Sequence, residues 1–435
     1  MLERPPIETE TESAKAVLFY FDEKVKPLVQ KINADYLYWD KAKYLTDEKT
    51  FKNRMLWFAA KQYRKFNYKN LTFGKYTFYY TITNEILELL HDLDMNIGGY
   101  LTSENILLSQ DKNRYLVNSI MEEAIASSQM EGAITTRKVA KDMLRKNEKP
   151  KNKSQQMIVN NYQTINYIKN NSQVDFSVEQ LKEIHRSMTI NTLDDTNDVG
   201  KIRDNDNILV MDGITGDIAH NPPSNTEIEK LLSDFEKFFN QSSDPFIHPI
   251  IKGIVIHFML AYIHPFADGN GRTARSLFYW FLLKQGYWMV EYLSISRIIY
   301  KSKRQYEKAF LYTEYDDNDL TYFILYNLRA MKIAFNELKQ YLKRKTEESN
   351  SVSLLAHIKE INIRQAQILK ILTEKPNSVF TIKEIETRFR VSNQTARTDL
   401  TELKKLCFLS EIQINKRKAA FIKSAEFEEK IKSFS

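Results

Sequence analysis

The sequence predicts a mainly α protein: a helical amino-terminal region, a helical central domain with a short β-hairpin at its surface, and a carboxy-terminal winged helix of α+β type. Three observations predict it. Apolar residues recur at helical spacing through most of the chain. A β-branched ribbon punctuated by Gly213 and Gly216 and stopped by Pro222-Pro223 interrupts them near residue 210. Three short helical patterns followed by two alternating strands close the chain. With 435 residues the chain suits two or three domains, drawn here at 1–100, 101–345 and 363–435 with a polar linker at 346–362.

Composition narrows the classes. Hydrophobic residues at 43% and charged residues at 27% fit a globular protein. The single cysteine, Cys407, excludes internal disulfides and cysteine-based zinc sites, and between Leu406 and Phe408 it is expected in the core. The start, Met1 to Glu10, carries acid and proline where a signal peptide needs a basic start and an apolar run, and the apolar stretch Gly253–Ala267 is too short to span a bilayer. A cytoplasmic protein with no membrane partner is expected. The net charge of +7 is too mild over this length to diagnose nucleic-acid binding.

In chain order, helices are expected at Ala14–Phe21, Phe51–Phe66 and Thr83–Leu93, a scaffold that Gly98-Gly99 ends. A helix from about Asn113 reaches Gly132 through Ser127-Ser128-Gln129-Met130-Glu131. Glu131 there stands at the wrong end of the helix dipole unless it faces a cation. Two more helices fit Ser154–Lys169 and Ser177–Thr189. Gly200-Lys201-Ile202-Arg203 then leads into the hairpin, whose tip holds Gly213, Ile214, Thr215, Gly216 and Asp217. A helix over Thr226–Asn240 precedes the apolar segment Ile254–Ile263, which is apolar on nearly every side and therefore reads as a buried helix.

Next comes His264-Pro265-Phe266-Ala267-Asp268-Gly269-Asn270-Gly271-Arg272-Thr273-Ala274-Arg275, and then a second apolar helical run to Gly286. Gly269, Asn270 and Gly271 tolerate left-handed backbone, and such a turn at a helix start gathers N–H groups into an anion-binding nest. Arg272 and Arg275 share one helix face, where like charges call for an anion between them. Asp268 is a hard oxygen ligand of the kind Mg²⁺ uses beside phosphates. His264 is the nearby group able to take a proton from a hydroxyl near neutral pH. Together the parts point to transfer of a phosphorus-centred group onto a hydroxyl.

The stretch matches the signature His-x-Phe-x-Asp/Glu-Gly-Asn-Gly-Arg-x-x-Arg of the Fic domain family at every fixed position, so this region resembles a Fic domain. The resemblance implies a Mg²⁺-dependent enzyme that moves AMP from ATP to a Ser, Thr or Tyr hydroxyl of a protein, itself included. It makes His264 the base, Asp268 the metal ligand, and Gly269, Asn270 and Gly271 the ATP cradle. Arg272 becomes a phosphate clamp and Arg275 the partner of the terminal phosphate. Ser127-x-x-x-Glu131-Gly132 is similar to the family's inhibitory helix, in which the glutamate pairs with the second arginine, here Arg275. The hairpin corresponds to the flap that pairs with the target's backbone. Tyr38-Trp39-Asp40 and Leu90-His91-Asp92-Leu93-Asp94 are similar to regions preceding many Fic domains. Other readings the resemblance leaves are transfer of UMP, phosphate or phosphocholine, removal of AMP with Glu131 orienting a water, and a nucleotide-sensing DNA-binding regulator.

Beyond the loop, Ser294–Arg297 and Tyr306–Phe310 fall in the family's remaining helices, with Tyr300 and Tyr306 expected in packing rather than base stacking. Leu320–Leu342 is helical, and Lys343–Ser351 is a linker or the solvated end of that helix. The last domain has helices at Gln365–Leu372, Thr381–Phe389 and Asn393–Leu406, with Ser392 as an N-cap, then strands Ile412–Ile414 and Ala420–Ile422 around Lys416, Arg417 and Lys418. Residues 365–435 hold 14 Lys+Arg and 9 Asp+Glu, so most of the positive charge lies here. DNA contact through Gln394, Thr395, Arg397, Thr398 and the basic tip is one expectation; a protein partner or a second copy of the chain is the other, because Asp399 and Glu402 would oppose a phosphate backbone.

Overall fold

The computed structural model describes residues 2–45, 51–98, 112–211, 216–356, 361–389, 391–415 and 418–433. It divides into two compact units, Met1–Leu338 and Lys339–Ser435, so the region before residue 100 and the segment carrying the glycine loop lie in one unit. Among the described residues no helix is long and apolar enough to cross a membrane.

The first unit opens with α1 (Glu10–Tyr20), α2 (Lys26–Ala34), α3 (Trp39–Ala42) and α4 (Phe51–Phe66). The Thr9/Glu12 capping box sets where α1 starts. Ala16, Val29, Ile32, Leu56 and Trp57 form the core of these helices. A hairpin, β1 (Lys69–Phe73) and β2 (Tyr76–Tyr80), follows, so the amino-terminal region is not wholly helical as expected. Its turn needs Gly74 at φ +55°, and Phe78 and Tyr80, two apart, are buried on one face. Tyr79 pairs with the backbone of residues 318 and 320, which fastens the hairpin to the end of the unit.

Then come α5 (Asn84–Ile97), α6 (Lys112–Met130), α7 (Arg137–Lys146), α8 (Lys153–Asn170) and α9 (Val178–Thr189), the last opened by a Ser177/Gln180 capping box. The short hairpin β3 (Val210–Met211) and β4 (Ile218–His220) leads to α10 (Asn225–Asn240). At the centre, α11 (Pro249–Ile263) is buried at every residue from Ile250 to Leu260, as apolarity on all faces requires. It packs on α12 (Asn270–Lys284), which also meets α8 and α9; α6 packs on α8 and on α13 (Ile295–Lys301). The unit closes with α14 (Lys303–Tyr315) and the first part of α15 (Thr321–Ala356), a helix that continues through the start of the polar stretch read as a linker.

A buried ionic cluster joins early and late elements of this unit. Lys61 Nζ lies 2.9 Å from Asp316, and Arg64 donates to Asn33 Oδ1, the Leu37 carbonyl and Tyr322 Oη. Asp319 accepts from Tyr36 at 2.6 Å and Tyr68 at 3.1 Å.

In the second unit, α16 (Ile363–Glu374), α17 (Ile382–Phe389) and α18 (Asn393–Lys405) precede β5 (Leu409–Asn415), β6 (Lys418–Lys423) and α19 (Phe427–Ser433). Phe380 bridges to Phe421, adding a short third line to the sheet. Ile368, Leu372, Ile385, Leu400, Leu403 and Phe421 belong to a separate core. Cys407 is not in it: the residue is partly exposed in the turn after α18, at φ +63°, while Phe408 is buried.

Asp316→Asn leaves Lys61 and Arg64 buried without their carboxylate, a loss of about 3–5 kcal/mol for a broken buried pair. A lowered urea midpoint read through Trp57, which lies 5.3 Å from the Arg64 guanidinium, is the expected outcome.

Candidate active site

The loop between α11 and α12 is built so that its own polar groups are satisfied on the buried side. His264 ends α11 with a left-handed backbone, φ +50°, and its N–H still closes the last turn on Leu260. Asn270 spans the loop, its Nδ2 donating to the Phe266 carbonyl at 2.8 Å and its Oδ1 accepting the Phe266 N–H at 3.0 Å. Its side chain is therefore an internal brace, and only its backbone faces the helix start. Gly269, at φ +84°, cannot be replaced cheaply, because a Cβ there would stand 2.7 Å from Thr189 Cγ2.

Three residues that sequence reasoning did not single out hold this loop from behind. His185 on α9 stacks on Phe266 at 3.7 Å; its Nε2 donates to the Asp268 carbonyl and its Nδ1 accepts the Gly200 N–H. Arg203 donates from Nε to the His264 carbonyl at 3.0 Å and from its backbone to Pro265. On β4, His220 lies 2.8 Å from the Tyr262 carbonyl and 2.7 Å from Glu314. Arg203 ends the segment Gly200-Lys201-Ile202-Arg203 that leads to the hairpin; nothing local marks it, His185 or His220, because the carbonyls through which they hold the loop are more than forty residues away.

The His264 ring puts Nδ1 3.1 Å from the Ala261 carbonyl, which can only accept, so Nδ1 carries the proton and Nε2 keeps its lone pair. Burial lowers its pKa to about 4, so the ring is neutral at pH 7.

Across the loop lies the turn that follows α6. Arg275, 3% exposed, donates from Nε to Ser127 Oγ (2.9 Å) and from Nη2 to the Ser127 carbonyl (3.0 Å) and Glu131 Oε1 (2.9 Å). A Cβ on Gly271 would meet the same Glu131 oxygen at 2.3 Å, so this carboxylate lies directly over the first turn of α12, where backbone N–H groups lack helical partners. Burial works against the charge, but Arg275 and Arg272 outweigh it and hold the Glu131 carboxyl below its ordinary value. Arg272 is 1% exposed; Nη1 donates to the Met188 carbonyl, while Nε has no partner. An unsatisfied buried guanidinium nitrogen beside a helix start suits an incoming anion. Gly132 follows Glu131 at φ +91° with open space around it, and Lys303 Nζ caps the Met130 carbonyl.

Asp268 is exposed, and its Oδ1 accepts the Gly269 N–H. Among the described residues no three His, Cys, Asp or Glu gather to hold a metal. The donor set is one carboxylate beside an anion site, which fits Mg²⁺ held mainly by water and substrate phosphate oxygens.

Of the flap residues, Gly213, Ile214 and Thr215 lie outside the described residues; Gly216 has φ +71° and Asp217 precedes β4. The strands beside them expose Met211 and Ile218. Tyr306 is buried and Tyr300 is 45% exposed.

In the second unit Gln394, Arg397 and Thr398 are exposed on α18 and Thr395 is partly so, its N–H capped by Ser392. Lys416 and Arg417 lie outside the described residues, and Lys418 begins β6. Asp399 does not face outward as expected, whereas Glu402 is exposed. Asp399 is 2% exposed and takes Arg364 Nε at 2.8 Å and Asn362 Nδ2 at 2.8 Å, and Glu402 takes Gln365 Nε2 at 2.6 Å. Both serve the packing of α18 on α16.

Residues 175–282 match the model of the Fic/DOC family and residues 364–419 that of an HTH domain. The first unit thus carries a Fic domain and the second a helix-turn-helix; Ser127 and Glu131 fall before the matched Fic segment. "Protein adenylyltransferase Fic" of Drosophila melanogaster is 31% identical over 114 residues, 26% of this chain and 21% of that protein. The Culex quinquefasciatus protein of that name is 39% identical over 69 residues, 16% and 14% of the two chains. The match thus spans about a fifth or less of these relatives. Among solved structures, a Fic family protein from Desulfovibrio desulfuricans G20 aligns with a TM-score of 0.54 at 17% identity, over 80% of this chain and 98% of that one. Fic-1 (aa134 - 508) from C. elegans gives 0.52 at 16% identity, over 78% and 90%. At these identities the likeness is one of fold.

Burial lowers His185, His257 and His264 to pKa values of about 4, about 3 and about 4, below the roughly 6.5 of an unfolded chain. Below pH 6.5 the unfolded state therefore binds more protons than the folded one. Stability is full above about pH 7 and is lost as pH falls from there towards 4, by roughly 1.4 kcal/mol per imidazole per pH unit. Urea midpoints at pH 7.5 and 5.5 should differ by roughly 4 kcal/mol in unfolding free energy for three such groups; equal midpoints contradict neutral burial.

Proposed function

We propose that the Fic domain transfers AMP from ATP to a Ser, Thr or Tyr hydroxyl of a protein, itself included, with Mg²⁺, and that Glu131 restrains the reaction through Arg275. The observation that carries this reading is a carboxylate already seated in the anion site: Glu131 Oε1 lies on Arg275 and over Gly271. A nest that holds a carboxylate suits a phosphate of similar charge and bite.

In this reading the hydroxyl oxygen attacks the α-phosphorus, its proton passes to Nε2 of His264, and the bond to the bridging oxygen of the β-phosphate breaks to release pyrophosphate. The Nδ1–H bond to Ala261 keeps the imidazole in the tautomer that accepts. Arg272 and Arg275 offset charge on the phosphates, and the N–H groups at the start of α12 do the same without reorganising. Mg²⁺ supplies charge neutralisation on the phosphate oxygens, with Asp268 as its protein ligand. Exposed Met211 and Ile218 support a flap that takes a target strand.

The brake is a local one. Glu122 is paired with Arg137 and Lys141, Glu123 accepts from Tyr279 and Ser296, and Ser128 Oγ donates to the Met157 carbonyl, so α6 is anchored along its length. Glu131 can leave by rotating about the open turn at Gly132 while α6 stays in place.

A second reading concerns the helix-turn-helix. With Asp399 turned inward, the exposed face of α18 presents Gln394 and Arg397, which supports contact with DNA.

Glu131→Gly should raise self-labelling from α-labelled ATP by about 5- to 150-fold, the range of a typical coupling free energy. Adding His264→Ala should lower it again by about 10²- to 10⁴-fold. Labelling by UTP instead, or AMP released from a modified target, would replace the reading of the transferred group. Because the His264 base stays deprotonated well below pH 6.5, kcat/KM of the Glu131→Gly enzyme should stay level from pH 8 to 6, and an inflection near 7 would remove His264 as the base. For the second unit, retention on random duplex DNA should fall steeply with salt, and Arg397→Ala should weaken it; no retention at low salt favours a protein partner.

A further inference from the structure

The β3–β4 hairpin is attached to the rest of its unit at two levels. At its foot, Arg203 donates from Nη1 to the Asn205 carbonyl (2.8 Å) and to Asp206 Oδ1 (3.0 Å), and from Nη2 to the Pro223 carbonyl. One guanidinium thus holds both the chain that enters β3 and the chain that leaves β4. Asp206 also accepts the Asn225 N–H at the start of α10, 2.6 Å away. Nearer the tip, His220 makes the second attachment. Its Nε2 is 2.8 Å from the Tyr262 carbonyl in the last turn of α11, and its Nδ1 is 2.7 Å from Glu314 Oε2 on α14.

The register of the strands explains why His220 points this way. Val210 pairs with His220, but the next residue, Met211, pairs with Ile218. Ala219 is therefore an extra residue in β4, a bulge that re-aims its neighbours. In a regular strand Ile218 and His220, two apart, would share a face. The bulge separates them: Ile218 is 53% exposed, whereas His220 is 9% exposed. The last carbonyls of a helix lack helical partners, so an N–H group from another element is the usual way to satisfy one that is buried. Tyr262 is two residues before His264, and His220 therefore ties β4 to the turn that presents the His264 ring.

We propose that His220, with Glu314 holding its other nitrogen, is a positioning residue that fixes the tilt of β4 against the end of α11 and so sets where a target hydroxyl on the flap stands relative to Nε2 of His264. This rests on the reading of the reaction and of the flap given above. A two-stranded ribbon has little stiffness of its own. Clasped at its foot alone it can tilt, and an attachment nearer the tip removes that freedom. The consequence is kinetic, because an attacking oxygen misplaced by about 1 Å costs roughly 10²-fold in rate. Nucleotide binding is a separate matter: in that reading it belongs to Arg272, Arg275 and the start of α12, and both hydrogen-bond partners of His220 lie outside this set.

The test is His220→Ala, made in the Glu131→Gly chain. Self-labelling at saturating Mg-ATP should slow by about 10- to 100-fold, whereas Kd for Mg-ATP from calorimetric titration stays within about twofold of the parent. In a Glu131→Gly/Ile218→Pro parent, where the proline already disrupts β4, His220→Ala should slow labelling by less than about twofold more, because both changes act through the flap. Full additivity with Ile218→Pro places the effect on His264 rather than on the flap, and loss of Mg-ATP binding in step with labelling makes the role of His220 one of packing; either overturns the assignment. A Glu131→Gly parent that binds no Mg-ATP or does not label itself overturns the reading of the reaction and this inference together. A parent that labels itself, with a His220→Ala variant that labels as fast, overturns only the inference.

Discussion

The arrangement of the first unit turns on a buried guanidinium that needs an anion. Arg275 is almost entirely removed from water, and a charge so placed is tolerated only when paired and hydrogen-bonded. Glu131 and Ser127 satisfy it, and this explains features that otherwise look unrelated. Glu131 stands at the unfavourable end of α6's dipole because its partner lies beyond that end. Position 271 lacks a side chain because a carboxylate oxygen occupies the space. Lys303 at the Met130 carbonyl supplies the cation that the helix terminus lacks on its own residues.

The loop beside it is rigid for a different reason. Its carbonyls and N–H groups are taken up on the buried side by Asn270, His185 and Arg203, which leaves the imidazole and the helix start facing the other way. A site that keeps its donors in place without a ligand has no reorganisation left to do when charge arrives. Burial does this work twice, excluding water from Arg272 and keeping the His264 ring neutral and basic.

How much of this was legible in the sequence follows from distance along the chain. The loop could be read because its groups lie within twelve residues and its glycines and arginines have position-specific reasons. Helix starts were readable where a cap is written locally, as at Ser177 and Ser392. The β1–β2 hairpin was not, because aromatic residues at a spacing of two lie within a Tyr- and Phe-rich region that also fits a helical pattern. His185 and Arg203 were silent because each acts through backbone atoms more than sixty residues away. Asp399 misled: an acid on a candidate recognition helix reads as exposed until Arg364, thirty-five residues earlier, is seen to meet it.

The strength of the Glu131–Arg275 pair bears on the restraint proposed for it. Arg275 is deeply buried, but the Glu131 side chain keeps 29% of its exposure, so water still reaches one partner. Pairs with one solvated member are weaker than fully enclosed ones, because departure of the carboxylate returns it to water at little loss. The guanidinium left behind is the costly side of the exchange, and it stays unsatisfied until another anion arrives. In the proposed reading this makes the nucleotide's terminal phosphates and Glu131 competitors for one cation, with the outcome set by a difference of a few kcal/mol rather than by the full strength of either contact. The anchoring of α6 keeps that difference small in structural terms. In that reading one side chain and one glycine turn would move while Glu122, Glu123 and Ser128 hold the helix where it is, so restraint and release would share a single fold.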